Sequence, residues 1–172
     1  MKRLENKTAI VTGGNSGIGK ATAILFAKEG ADLVLCARRK EALDEVAEEC
    51  RQYGVQVVTV KADVSSHEDC SAVVKAAVDT FGKVDILVNN AGIFRFEHIV
   101  NLSVGVVRTM LMLHMNTVVL LCRYFGEDMR KRGKGYILNM SSMSAWFSYP
   151  DISLYASTKC FLKSFSRAFR LE

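Results

Sequence analysis

Thr8-Ala9-Ile10-Val11-Thr12-Gly13-Gly14-Asn15-Ser16-Gly17-Ile18-Gly19 passes from an apolar run, through a glycine-rich turn, into a helical pattern. The run Thr8 to Val11 reads as a buried strand, and Ile18 to Glu29 carries apolar residues at helical spacing, closed by Gly30. Glycines at such a junction let backbone N–H groups approach a phosphate, and the helix start offers its positive dipole end. The spacing is G-x-x-x-G-x-G rather than G-x-G-x-x-G, and a tight turn without a ligand is the competing reading. The position of the turn, at the first strand–helix junction, favours a nucleotide.

The same alternation continues outward. Leu33–Cys36, Val55–Val60, Ile86–Val88 and Tyr136–Met140 read as further strands. Lys40–Tyr53, Ser66–Phe81, residues 103–131 and a segment from about Ser153 read as helices. Continuous apolar strands between helices predict an α/β, doubly wound parallel sheet covered on both faces, in a single domain over 1–172. The last residues keep helical periodicity to Glu172 without a stop signal, so the final helix is expected to run to the end.

Composition narrows the function classes. In 172 residues, 49% are hydrophobic and 24% charged, with one proline, which excludes a disordered or collagen-like chain. No uninterrupted apolar run approaches the ~18 residues of a membrane span, and the N-terminus carries no apolar signal core. Cys36, Cys50, Cys70, Cys122 and Cys160 are odd in number and lack metal-ligand spacing, so no metal site is expected and reduced thiols in the cytoplasm are. The net charge is +5. Residues 1–120 hold 14 basic and 14 acidic side chains, so the excess lies in residues 121–172, largely in Arg130-Lys131-Arg132-Gly133-Lys134. That cluster reads as a helix end beside its dipole rather than a nucleic-acid patch.

Two constellations point to chemistry. The second strand ends in Cys36-Ala37-Arg38-Arg39, with no acid to accept bonds from a ribose. Arginine suits a 2′-phosphate, so Arg38 and Arg39 favour NADP(H) over NAD(H). Tyr155-Ala156-Ser157-Thr158-Lys159 places a phenol and an ammonium on one helix face, where the cation favours the phenolate. That arrangement suits acid–base work near neutral pH.

Taken together, Thr12-Gly13-x-x-x-Gly17-x-Gly19, Asn89-Asn90-Ala91-Gly92, Asn116, Ser142 and Tyr155-x-x-x-Lys159 resemble the short-chain dehydrogenase/reductase family in order and spacing. The resemblance implies a Rossmann fold of seven strands, about five of them in these residues, with the C-terminal strands and substrate lid missing. It implies that Tyr155 is the general acid/base, that Lys159 assists it and holds the nicotinamide ribose, that Ser142 polarises the carbonyl, and that Asn116 holds a water. It assigns Gly13, Asn15, Ser16, Gly17, Ile18 and Gly19 to the pyrophosphate turn, Asp63 and Val64 to adenine, and Asn90, Ala91 and Gly92 to the nicotinamide side. Ser141, next to Ser142, is the less well-spaced hydroxyl.

The implied activity is hydride transfer between NADP(H) and a small-molecule carbonyl or secondary alcohol. A cofactor-binding but inactive module is the alternative. Family members often form dimers or tetramers, here through residues 103–131 and 153–172. The segment holding Met143, Trp146, Phe147 and Tyr149 would either wall an apolar substrate such as a steroid or acyl chain, or pack on the following helix.

Overall fold

The computed structural model describes residues 2–172. Five parallel strands form one sheet: β1 (Thr8–Thr12), β2 (Asp32–Ala37), β3 (Val57–Lys61), β4 (Ile86–Asn89) and β5 (Tyr136–Asn139), in the spatial order β3-β2-β1-β4-β5. The register is fixed by pairings such as Ile10 with Val34 and with Leu87, and Val88 with Leu138. The helices are α1 (Gly17–Lys28), α2 (Lys40–Arg51), α3 (His67–Phe81), α4 (Val104–Leu111), α5 (Thr117–Lys131) and α6 (Ser153–Phe169). This is the Rossmann-type, doubly wound arrangement expected from the alternation.

Strand side chains alternate between two cores. Ile10, Val34 and Leu87 face α3, α5 and α6, where they meet Val73, Leu121, Phe125 and Leu162. Ala9, Val11, Leu33 and Leu35 face α1 and α2, where they meet Ala23, Ala27, Leu43 and Val46. Burial on both faces explains why these strands are apolar at every position, not at every second one. Capping agrees with the local sequence: the Ser66 hydroxyl accepts from the Asp69 N–H (3.3 Å), and Gly82 ends α3 with φ +70°.

Several element ends shift by one or two residues from the sequence reading, and three differences matter more. The helix read over residues 103–131 contains a π-turn at Met112–Asn116 between α4 and α5. Periodicity cannot register it, because the apolar residues on either side keep ordinary helical spacing. Helix α6 closes at Phe169 rather than running to Glu172. The strand read as Val55–Val60 begins at Val57, since Gly54 (φ +79°) still belongs to the turn. The segment Val104–Lys131 is also long and apolar enough, by length and composition, to cross a membrane, although no uninterrupted run is. In this fold Met110, Leu113, Val118, Leu121, Cys122 and Phe125 along it are buried, most of them in the core with α3 and α6.

A buried carboxylate holds the base of the sheet. Asp85 accepts from the Thr8 N–H (3.1 Å) and pairs with Arg132 (3.2 Å) and Lys83 (3.3 Å). Burial pushes its pKa up, but the Thr8 bond and the Lys83 ammonium outweigh this and hold it below the ordinary value. Arg132 also donates to the Val84 carbonyl (2.6 Å) and to Asp128 (2.7 Å), and Lys131 pairs with Glu127. The basic cluster is therefore partly neutralised within its own fold.

Asp85→Ala is expected to cost about 3 kcal/mol in urea unfolding, because it strands a backbone donor and a half-buried guanidinium. The contribution of the carboxylate is present above its unfolded pKa of 3.8 and is lost as the pH falls through its lower folded value.

Candidate functional site

Strand order reverses between β1 and β4, because the chain leaves β1 toward β2 on one side and returns at β4 on the other. The carboxyl ends of these strands open into a crevice. The Thr12 hydroxyl ties the two ends together, accepting from the N–H groups of Asn90 (2.9 Å) and Ala91 (3.0 Å). The Asn90 carboxamide donates to the carbonyls of Thr12 (2.9 Å) and Gly13 (3.3 Å). Two glycines permit this closeness. Gly13 has φ +67°, and a Cβ on Gly19 would collide with the Gly13 carbonyl and lie 2.6 Å from the Asn90 carboxamide. The first turn of α1 carries no acidic side chain, and no side chain caps it. Its N–H groups and dipole are thus available to an anion.

A cleft of about 370 Å³ lies above this junction. Gly13, Asn15, Ser16, Arg38, Arg39, Asp63, Val64, Asn90, Ala91 and Gly92 line it. Gly17, Ile18 and Gly19 are in the α1 start beside it, and Ile18 is exposed. Ile93 and Leu113 also line the cleft; their apolar character gave no signal of this.

At one end of the cleft both arginines are exposed. The Asn15 carboxamide oxygen, oriented by the hydrogen-bond network, accepts from Arg39 Nε (3.1 Å) and Nη2 (3.0 Å). Arg39 is therefore held against the glycine turn. Asp63 accepts from the N–H (3.0 Å) and hydroxyl (2.7 Å) of Ser65 and receives no cation in this arrangement. Next to it the Val64 carbonyl accepts from the Thr117 hydroxyl, which joins this loop to α5.

Outside the cleft lining, α6 carries Tyr155 and Lys159. Lys159 is buried, donates to the Met140 carbonyl (2.8 Å), and lies 5.5 Å from the centroid of the Tyr155 ring. Burial pushes its ammonium pKa down to about 8. The two serines after β5 have different duties. The Ser141 hydroxyl donates to the Lys159 carbonyl (3.0 Å), whereas the Ser142 oxygen accepts from the Ser144 N–H (3.2 Å) and keeps its own proton free to donate. This division leaves Ser142, not Ser141, with an uncommitted hydroxyl proton. Asn116 ends the π-turn with its side chain exposed.

Two neighbours of Tyr155 escaped the sequence reading. Phe94 packs edge-on against its ring with centroids 4.9 Å apart, and His114 does so at 5.7 Å. Both come from distant segments that only the fold brings together. In the aromatic loop before α6, Lys163 lies 3.8 Å above one face of the Trp146 ring, and Met143, Trp146, Phe147 and Tyr149 all remain exposed. Among the described residues no cluster of side chains could hold a metal ion.

Comparison with known proteins agrees with this geometry. A family model described as short chain dehydrogenase matches residues 7–172. The chain is 38% identical to 11-beta-hydroxysteroid dehydrogenase A of Sesamum indicum, covering 96% of this chain and 48% of that protein. It is 35% identical to the NADP-dependent 3-hydroxy acid dehydrogenase of Schizosaccharomyces pombe, covering 100% of this chain and 68% of that protein. Among solved structures, a 7 alpha-hydroxysteroid dehydrogenase complexed with NADH and 7-oxo glycochenodeoxycholic acid superposes with a TM-score of 0.91 at 34% identity, over 98% of this chain and 67% of that one. A metagenomic short-chain oxidoreductase in complex with NADP superposes at 0.92 with 28% identity, over 96% of this chain and 76% of that one. The chain thus spans about half the length of the plant hydroxysteroid dehydrogenases it matches. With the family model running across nearly all of its residues, the chain belongs to the short-chain dehydrogenase family.

Proposed function

We propose that these residues form the cofactor cleft and proton-transfer side of an oxidoreductase that moves a hydride between NADP(H) and a carbonyl or secondary alcohol. The observation that carries this reading is the placement of a buried lysine and a tyrosine on α6, beside a glycine-bordered cleft at the sheet's switch point. A dinucleotide suits the cleft: the uncapped start of α1 and the close-packed Gly13 and Gly19 can take the pyrophosphate, Arg38 and Arg39 a 2′-phosphate, and Asn90 to Gly92 the nicotinamide side. When bound, the nicotinamide supplies the hydride.

The chain's own residues then handle orientation and the proton. Ser142 donates a hydrogen bond to the carbonyl oxygen. Tyr155 delivers a proton to that oxygen in reduction and removes it in oxidation. Lys159, as a cation next to the phenol ring, stabilises the negative charge that develops on the phenol oxygen as its proton leaves. Asn116, exposed at the π-turn, holds a water on the solvent side of Lys159. Phe94, edge-on to Tyr155 and half exposed, gives the reacting end an apolar wall. An apolar ketone or alcohol of steroid or acyl type fits that wall, and the hydroxysteroid dehydrogenases among the relatives support the choice.

Fluorescence titration with NADPH and NADH tests the cofactor. Arg38→Asp is expected to weaken NADPH at least tenfold and to leave NADH within about threefold; an unchanged preference overturns the assignment to NADP(H).

Absorbance at 340 nm with NADPH and a panel of apolar ketones tests the activity. Tyr155→Phe is expected to lower kcat by 10²–10⁴-fold with cofactor affinity retained. Cofactor binding without turnover in the unmodified protein, studied over its whole reading frame, would favour the cofactor-binding module instead.

The pH dependence follows from Lys159. Its folded pKa of about 8 lies below the ordinary 10.5, so the ammonium is present below pH 8 and is lost above it. A rate that needs this cation should fall as the pH rises through about 8. Stability should move oppositely. The folded state binds fewer protons than the unfolded one between pH 8 and 10.5, so the cost of the buried charge is relieved as the pH climbs. Lys159→Met should remove both effects.

A further inference from the structure

His114 is buried in the π-turn, and the roles above make no use of it. Its imidazole touches three residues from two separate segments. Nε2 lies 3.1 Å from the backbone nitrogen of Ile93, in the loop that lines the cleft after β4. Nδ1 lies 2.8 Å from the Thr158 hydroxyl, between Tyr155 and Lys159 on α6. The ring face meets the Tyr155 ring edge-on. The Thr158 hydroxyl in turn donates to the Tyr155 carbonyl (2.8 Å).

The chemistry of the partners settles the tautomer. A backbone N–H can only donate, so Nε2 must accept and carries no proton. Nδ1 therefore holds the proton and donates to Thr158. Gly92 is required for this approach, since a Cβ there would lie 2.8 Å from Nε2.

We propose that His114 is a positioning residue: through its neutral Nδ1–H form it fixes the helix carrying Tyr155 and Lys159 against the Ala91–Ile93 loop that borders the nicotinamide side of the cleft. The proposal rests on the oxidoreductase reading for its effect on catalysis, but not for the hydrogen-bonded link itself. A small displacement between a proton donor and a bound cofactor is enough to lower a rate, which is why such a tie matters. Protonation would put a second donor at Nε2, facing the Ile93 N–H, and so break the tie. Burial, reinforced by the Lys159 charge, pushes the imidazole pKa down to about 4, so the link survives at physiological pH. Lys159 and Tyr155 face it from α6, whose Lys163 and Arg167 lie at Trp146 instead; Arg95, Glu97 and His98 of the loop, Arg108 of α4 and Arg123 of α5 are exposed.

The experiment begins with the unmodified chain. Nitrogen-15 NMR of the imidazole should show Nδ1 protonated and Nε2 bare at pH 7, and the Ile93 amide should exchange slowly until the pH approaches 4. His114→Phe keeps the ring but not the bonds. Folded by circular dichroism, it should bind NADPH within about threefold, exchange the Ile93 amide at least tenfold faster, and lose 10- to 100-fold in kcat with KM nearly unchanged. His114→Gln, whose side-chain oxygen can accept from Ile93, should recover part of both losses. An Nε2–H tautomer, unaltered Ile93 exchange in folded His114→Phe, or undiminished kcat would overturn the proposal. If His114→Phe does not fold, the tautomer and the pH dependence of Ile93 exchange in the unmodified chain decide it. If the unmodified protein binds NADPH and shows no turnover, the oxidoreductase reading fails, while tautomer and exchange still decide whether the link exists.

Discussion

Thr12 is the point on which the site depends. Its hydroxyl closes the gap between the ends of β1 and β4 by accepting from two consecutive backbone N–H groups, and it donates in turn to the Val88 carbonyl (3.3 Å). Those N–H groups lie just past the end of β4, where the ladder no longer supplies partners. Satisfying them with a side chain from the neighbouring strand places the loop after β4 directly across from the glycine turn. The cleft lies above that junction. Asp85 performs the matching task at the amino ends of the same strands, with Thr8 as its partner. The central pair β1–β4 is thus pinned at both ends by polar groups and along its length by apolar ones.

A division of labour follows from the sheet's two faces. The α1 and α2 side packs small and branched side chains closely, which lets the glycine turn sit tight against β4. The other side is built from larger residues on α3, α5 and α6 and carries the chemical groups. Tyr155 and Lys159 lie on α6, which joins this core through Leu162 and is tied to β5 by the Asn139–Ser166 hydrogen bond (2.9 Å). Their placement is in this sense a property of the second core.

Much of this was legible in the residues. Element order, strand direction and the switch point followed from apolar runs alternating with helical periodicity, because a fully buried strand must be apolar on both faces. The glycine turn and the Tyr155–Lys159 pair were local patterns, readable without a fold. What escaped detection was non-local or invisible to periodicity. The π-turn leaves the apolar spacing intact. Phe94 and His114 lie far from Tyr155 in sequence, and a scattered histidine carries no pattern of its own. The cations that meet Trp146 were equally hidden: Lys163 and Arg167, four residues apart on α6, both approach the indole face of a side chain that stays exposed.

The hydrogen bonds from Ile93 through His114 and Thr158 to the Tyr155 carbonyl all point the same way. The first group is a backbone amide that cannot accept, and the last a backbone carbonyl that cannot donate. The two groups between them, though each could rotate or tautomerise alone, are left with a single proton arrangement. Such a chain is ordered like a wire with its current fixed, and its dipoles reinforce one another. It is closed to proton traffic for the same reason: a proton arriving at the imidazole would find no acceptor beyond it. A proton path to Tyr155, such as the proposed reaction would need, must therefore bypass His114.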